Sequence, residues 1–461
     1  METLQNKSAA KFSLLIMLLS FVLVFVSACG GSNGSNETGG ENEENTQSGA
    51  QSGEQAAETN KEPVEIEFWY GLGGKLGDNM KTLIDKFNQS QNEVIVKPIV
   101  QGNYSETAQK LQAAIAAKKV PAVVADFNED WARKGYYAQL DELIAGEPTM
   151  QPEDYVPAFW NAGKVDGKQY AIPIYGSVQV LYYHKEMFEQ AGISPDELNT
   201  WEGLAEVARK LTVREGGQVK VYGWEPMWGS GNMIDAVYSR GGTILSEDGT
   251  QVLIDNPEWV DTWESFRKWI HEEQIMRIHH GGQGWEYWYK TIDDVMQDRA
   301  AGYTGSSGDQ GDLDFSKIGA HPQPAWEGFE SKPSAGARGT VILADAPPEQ
   351  QKAAMKWLAF LTSPENSAWW SMNTGYIAVR NSSLDDPAFK AYSEKNPHSK
   401  VPLESAKTAS PSFVDPTGGK IFDALSIAAD KVQIENVPAA EALKEAKETA
   451  QKALDKALGG K

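Results

Sequence analysis

Val64-Glu65-Ile66-Glu67-Phe68-Trp69-Tyr70 opens the globular part of this chain, and Pro121-Ala122-Val123-Val124-Ala125 closes its first unit. The first stretch alternates apolar and polar residues, the period of a strand with two unlike faces. The second is short and wholly apolar, as expected of a parallel strand covered on both sides. Between them Met80, Leu83, Ile84 and Phe87 recur at helical spacing and predict a helix over 79–88. Val94 to Ile99 reads as a strand. Thr107 to Lys118, with Ala108, Leu111, Ala114 and Ile115, reads as a second helix. Strand, helix, strand, helix, strand is the pattern of a doubly wound α/β lobe. Ligands in such sheets sit beyond the carboxyl ends of the strands. Those ends carry Trp69 and Tyr70, the turn Gly102-Asn103-Tyr104, and Asp126-Phe127-Asn128-Glu129.

Further along, a second strand pair is expected at 168–174 and 179–183. Helices follow at 204–211, 257–271 and 291–297, then a strand at 301–304 and the flat stretch Gly305-Ser306-Ser307-Gly308. Two more helices are expected at 347–361 and 437–458, the last with Ala440, Leu443, Ala446, Ala450, Leu454 and Leu458 on one face. No fixed-period repeat is present.

Upstream the chain has a different character. Lys7 and Lys11 precede an apolar run from Phe12 to Val26, then Val26-Ser27-Ala28 and Cys29, the sole cysteine. A spanning helix needs about 20 apolar residues, so this shorter run reads as a signal peptide over 1–28. The junction at Cys29 resembles a bacterial lipobox, which implies a lipidated cysteine and a protein held at the outer face of the cell membrane. From Gly30 to Asn60 there is no aromatic residue, no Leu, Ile, Val or Met, and no Lys or Arg. Such a segment cannot offset its ordering entropy and reads as a tether, here 29–62.

Composition removes several functions. The chain of 461 residues carries 64 Asp and Glu against 42 Lys and Arg. A formal charge of −22 argues against nucleic acid, whose phosphates are bound by clustered cations. One cysteine excludes an intrachain disulfide and any Cys-x-x-Cys metal site. Gly71-Leu72-Gly73-Gly74-Lys75 lacks the upstream Gly and the following Ser or Thr of a phosphate loop, and reads as a plain strand-to-helix turn. His279 and His280 are adjacent, so both cannot face one metal, and they read as exposed loop residues. No nucleophile elbow is present. No catalytic, metal or cofactor site is expected, and the chain is read as a binder and not an enzyme. A surface-anchored carbohydrate-active enzyme is the alternative of another class.

The aromatic residues divide by context. Trp259, Trp263, Phe266 and Trp357 sit at helical spacing and read as core. Trp69-Tyr70, Tyr104, the run Trp224 to Trp228, Trp285-Glu286-Tyr287-Trp288 and Tyr376 lie in polar or Gly-rich surroundings. Flat rings flanked by polar groups suit sugars, since a ring face packs the C–H face of a pyranose.

These residues resemble the bacterial extracellular solute-binding proteins that serve ABC importers of carbohydrates, the maltose-binding-like group. The landmarks are Ile66 to Trp69, Pro121 to Val124, Ile172-Pro173, Leu181 to Phe188, Ala191-Gly192-Ile193, Thr200-Trp201, Pro364-Glu365-Asn366 and Thr374 to Val379. Within the group the likeness runs to its glycerol-3-phosphate binders. The resemblance implies an α/β, two-lobed, periplasmic-binding-protein-like fold (type II) with a central ligand cleft and crossing hinge strands. It implies a first lobe from 63–176 plus 318–379 and a second from 177–317 plus 380–461. Crossings are expected near 175–178, 317–321 and 379–385. Carried over, Tyr104, Ser177, Ser306 and Tyr376 would contact ligand and Trp228 would form an aromatic wall. Asn128 stands where the glycerol-3-phosphate binders have Glu, and no Arg occupies 417–425 to hold a phosphate. Tyr70 completes the candidate set. The expected ligand is a neutral saccharide, with glycerol-3-phosphate or a glycerophosphodiester as the alternative. The expected partners are this small molecule, the transmembrane subunits of an ABC permease and, through Cys29, the membrane; the protein is expected to be a monomer. Arg338 and Arg380 are the cations that could replace the missing Arg, with Arg380 read as part of a hinge ion pair.

Overall fold

The computed structural model describes residues 62–459. The signal segment, Cys29 and the tether up to residue 61 lie outside the described residues. Among the described residues no helix is long and apolar enough to cross a membrane.

The first lobe follows the expected alternation. Strand β1 (Val64–Tyr70) is succeeded by α1 (Gly74–Ser90), β2 (Val94–Val100), α2 (Tyr104–Ala116) and β3 (Val123–Val124). β1 runs parallel to β2 on one side and to β3 on the other. The helices begin earlier than periodicity predicts, α1 at Gly74 and α2 at Tyr104. Asn103 explains the second case, because its side chain caps α2 by accepting from the Glu106 N–H at 2.9 Å.

The expected strand pair at 168–174 and 179–183 is instead one long strand. β4 (Ala171–His184) runs unbroken through Gly176 and Ser177. Gly176 is required by packing: a Cβ there would lie 2.4 Å from the Phe159 ring. β4 connects the lobes. After α3 (Trp201–Leu211), β5 (Glu225–Pro226), α4 (Pro257–Arg267) and α5 (Glu286–Met296), the second half of β4 pairs antiparallel with β6 (Gly302–Ser306) and with β7 (Ile318–Pro322). Its first half pairs with β8 (Ser334–Ile342), which continues onto β3. The crossing expected near 317–321 is therefore misplaced. Residues 318–322 stay beside the second half of β4, and β8 makes the return. The strand order of the joined sheet is β2-β1-β3-β8-β4-β6-β5.

α6 (Pro348–Leu361) and α7 (Pro364–Thr374) pack on the first lobe. After the short strand β9 (Ser410–Pro411) beside β8, α8 (Lys420–Gln433) and α9 (Ala439–Gly459) join the second core. That core holds Trp201, Trp259, Trp263 and Phe266, all fully buried, each contributing about 1.5–3 kcal/mol by its burial. Trp357 is likewise buried in the first core.

Candidate ligand-binding cleft

The register between β8 and β4 slips between Ala337 and Gly339. Pro173, which has no N–H for the ladder, faces Gly339 at the slip. Irregularities of this kind re-aim a side chain, and the residue at the slip is Arg338. Its guanidinium lies 4.0 Å from the centre of the Tyr104 ring. Nε donates to the Ala125 carbonyl at 2.8 Å and Nη2 to Asp126 at 3.2 Å. Burial raises the Asp126 carboxyl, and Arg338 opposes that rise.

Arg338 borders a cavity of about 380 Å³, also lined by Tyr104, Tyr175, Ser177, Trp285, Trp288, Tyr289, Ser306, Asp309, Asp312 and Tyr376. Both lobes contribute. Tyr104 comes from the first turn of α2, and Trp285, Trp288 and Tyr289 from the start of α5. The rings form a continuous wall. Tyr376 stacks on Tyr175 with centroids 4.3 Å apart, the Tyr175 and Tyr104 hydroxyls are 3.1 Å apart, and Trp285 stands edge-on to Tyr104 at 5.1 Å. Tyr376 lies over Gly308, where a Cβ would be 2.3 Å from its ring. Trp285 Nε1 donates to the Gly71 carbonyl at 3.1 Å, so the glycine turn of the first lobe anchors an aromatic residue of the second.

Asp309 is the buried polar centre of this wall. It accepts from Trp288 Nε1 at 2.9 Å, from the Ser306 N–H at 3.0 Å and from Tyr303 Oη at 3.3 Å. Burial pushes its carboxyl up to about 7, while the Trp288 and Ser306 donors pull the other way. Asp312, also at the cavity, is raised by burial. Two further cavities adjoin. One, of about 390 Å³, reaches Trp228, Tyr238 and Phe422 and shares Ser177, Ser306 and Trp288 with the first. The other, of about 630 Å³, reaches Phe127, Asn128 and Phe413.

Of the seven candidate contacts, Tyr104, Ser177, Ser306 and Tyr376 surround the first cavity. Trp228 borders the second, its Nε1 donating to Asp430 at 2.6 Å and its ring edge-on to Tyr287. Asn128 borders the third and caps the short helix Glu129–Arg133. Tyr70 does not belong to the site. It is 1% exposed and packs in the first core beside Phe68, because the alternation of β1 turns it inward, and burial raises its hydroxyl to about 12. Trp224 is also core, bonded to Thr304.

Trp285 and Trp288 belong to the ring cluster that the sequence marks as suited to sugars, though not to the seven candidate contacts; Tyr289, Asp309 and Asp312 at the cavity carry no such sequence signal. Arg380 is buried away from the three cavities, with its guanidinium on the carbonyls of Thr149, Met150 and Gln151.

His279 corrects the sequence reading in another way. It is half-buried, not a free loop residue, and its Nε2 lies 2.7 Å from Asp294. With Glu225 it brings three ligand atoms within 4.8 Å of one another. Arg277 bridges Glu225 and Asp294, and Arg299 joins Asp294, so this is an ion network already supplied with cations.

Two lobes, a shared crossing strand and an aromatic cleft between them define a ligand-binding protein of the periplasmic type. Residues 82–397 match the family model described as bacterial extracellular solute-binding protein, and the chain belongs to that family. The sn-glycerol-3-phosphate-binding periplasmic protein UgpB of Yersinia enterocolitica is 25% identical over 360 residues, covering 73% of this chain and 79% of its own. Among solved structures, UgpB from Mycobacterium tuberculosis in complex with glycerophosphocholine superposes with a TM-score of 0.75 at 23% identity, over 86% of this chain and 99% of that one. The GacH receptor of Streptomyces glaucescens, solved unliganded and with acarbose, gives 0.73 at 18% identity, over 85% and 99%.

Proposed function

We propose that the protein is the substrate-capturing component of an ABC importer and that it takes a carbohydrate, a sugar or oligosaccharide without net charge. One observation carries the ligand class. Among the described residues lining the three cavities, Arg338 is the single cation and is already paired with Asp126, whereas Asp309, Asp312, Asp235, Glu129, Asp130 and Asp415 are carboxylates. A phosphate monoester of charge near −2 needs charged donors in excess of the local acids. A neutral saccharide needs a stacking face and paired hydroxyls, which the ring wall with Ser177 and Ser306 supplies.

A second reading, a glycerophosphodiester, is favoured by Arg338 itself. Its guanidinium stands at the wall of the first cavity, and a singly charged phosphodiester asks for one such group. The names of the relatives point the same way.

The protein acts by binding alone. Ligand held by Tyr104 from one lobe and by Trp288 and Ser306 from the other stabilises the closed state of a hinge, and the closed form docks on the permease. For the lobes we propose the division 63–176 plus 334–379 and 177–333 plus 380–461, the return falling at Ser334, where β8 begins, and not at 318. Lipidation at Cys29 holds the protein at the outer face of the membrane, and Cys29→Ala should abolish incorporation of labelled fatty acid; persistent labelling would contradict it.

A thermal-shift screen over neutral oligosaccharides, glycerophosphodiesters and glycerol-3-phosphate tests the function. Stabilisation by a saccharide, without its turnover, supports the proposal. Stabilisation by glycerophosphodiesters alone moves the assignment to the second reading.

A further inference from the structure

Part of the ring wall is delivered by a loop that its own backbone does not fix. The Arg277 N–H donates to the Trp224 carbonyl at 3.2 Å, and Trp285 leads into α5. Between them runs Ile278-His279-His280-Gly281-Gly282-Gln283-Gly284, with three glycines in seven residues. Gly281, Gly282 and Gly284 take φ of +70°, +88° and +56°, the left-handed region that glycine enters freely. Among the described residues, no hydrogen bond between main-chain groups fastens Ile278 to Gly282. Trp285 nevertheless stands in a defined place, edge-on to Tyr104 and bonded to the Gly71 carbonyl of the other lobe. Gly284 meets that lobe closely as well, since a Cβ there would lie 2.9 Å from the Gly102 carbonyl oxygen.

The fixed point within the loop is His279. Its Nε2 lies 2.7 Å from Asp294 Oδ2, and Asp294 belongs to α5, the helix that carries Trp288 and Tyr289. Burial would raise the Asp294 carboxyl, but the His279 and Arg299 donors and the charge of Arg277 outweigh it and hold the group well below the usual carboxylate range. An ionised Asp294 can only accept, so the imidazole is the donor. Such a charge-assisted bond is roughly twice as strong as a neutral one. Arg299 Nε holds the same carboxylate from the other oxygen at 2.6 Å. Fully buried Glu225 of β5 is bridged to Asp294 by Arg277, and its Oε2, without a hydrogen-bond partner, lies 3.8 Å from His279 Nε2. His279 itself is not among the residues lining the three cavities.

From this geometry we infer that His279 is a positioning residue for the ligand site: it ties the glycine loop to α5, so that Trp285 and Trp288 form one rigid wall before a ligand arrives. The inference rests on the first cavity being the ligand site. A freed loop has to be ordered again at each binding event, and that cost is read as lost affinity.

The test uses the full chain labelled with 5-fluorotryptophan, its Trp285 fluorine resonance assigned by Trp285→Phe. In wild type that resonance should be one narrow line. His279→Ala should shift or broaden it, and so should His279→Asn, whose amide is too short to reach Asp294. His279→Gln, which carries an amide N–H near the place of Nε2, should restore it. Calorimetric titrations with maltotriose, cellotriose and glycerophosphocholine read the consequence. For a probe that saturates, His279→Ala should bind about five- to tenfold weaker, the scale of re-ordering a freed side chain. In a Trp285→Ala background the same change should cost less than about twofold, because the ring through which His279 acts is gone. A Trp285 line unmoved in both His279→Ala and His279→Asn would overturn the inference. So would affinity losses that add in full in the double variant, the mark of a residue that only stabilises the fold. Failure of all three probes to bind would count against the function proposed above, while the Trp285 line would still decide the positioning.

Discussion

Arg338 and Arg380 lie 42 positions apart on the two segments that return past β4, and the structure uses them in opposite ways. Arg380 is 1% exposed, with its guanidinium against the Tyr155 ring at 4.2 Å, bonded to three successive main-chain carbonyls and 3.5 Å from Asp154. Arg338 spends one nitrogen on the Ala125 carbonyl and one on Asp126, and its flat face covers Tyr104 at the rim of the cleft. An arginine becomes available to a ligand when the backbone leaves part of its fork uncovered. The slip between β8 and β4 does this for Arg338, whereas the carbonyls of 149–151 enclose Arg380.

The comparison predicts separable effects. Arg380→Ala should be the most damaging to stability, by about 3–5 kcal/mol, because the buried Met150 carbonyl, its two neighbours and Asp154 lose their donor. Urea unfolding measures it, and a loss below about 1 kcal/mol, the scale of a surface ion pair, would show the cluster to be dispensable. Affinity for a confirmed ligand should stay near wild type. Trp288→Ala should act the other way, weakening saccharide binding by about 1–3 kcal/mol through the lost ring. Arg338→Ala sharpens the comparison. With a neutral saccharide the loss should stay near 1 kcal/mol, the net worth of an ordinary hydrogen bond, whereas a phosphodiester ligand would lose about 1.5–3 kcal/mol.

A further effect, read through pH, concerns Asp309. Its carboxyl is raised in the folded state to about 7, and an unfolded aspartate titrates near 3.9, roughly. A group raised on folding stabilises most below its unfolded value, and this contribution is lost as pH rises through about 7. The stability gap between wild type and Asp309→Asn should therefore shrink between pH 4 and pH 7 and stay level above. A gap that widens over that window would mean Asp309 is held ionised.

Much of the fold could be read from sequence because period-2 and period-3.6 patterns report burial directly. β1, β2, α4 and α9 follow them closely. The continuity of β4 through 175–178 is not legible, since a glycine demanded by the Phe159 ring looks the same in sequence as a glycine in a turn. The first turn of α5 was also hidden, because Glu286-Tyr287-Trp288-Tyr289 presents rings to a cleft and so shows no apolar face. Of the candidate site, the family likeness supplies Tyr104, Ser177, Ser306 and Tyr376, which the fold gathers at one cavity. Tyr70 failed because a strand end points to the cleft on one face only. Asp309 and Asp312 could not be picked from so many acids, since only tertiary burial distinguishes them.

A cleft so short of free cations should take a ligand without net charge. Parallel calorimetric titrations of the purified protein with neutral oligosaccharides, glycerophosphocholine and glycerol-3-phosphate test it most directly. A neutral-ligand cleft should give saturable binding of a saccharide, none of glycerol-3-phosphate, and retention of saccharide binding in Arg338→Ala. Tight binding of glycerol-3-phosphate that is lost in Arg338→Ala would contradict it.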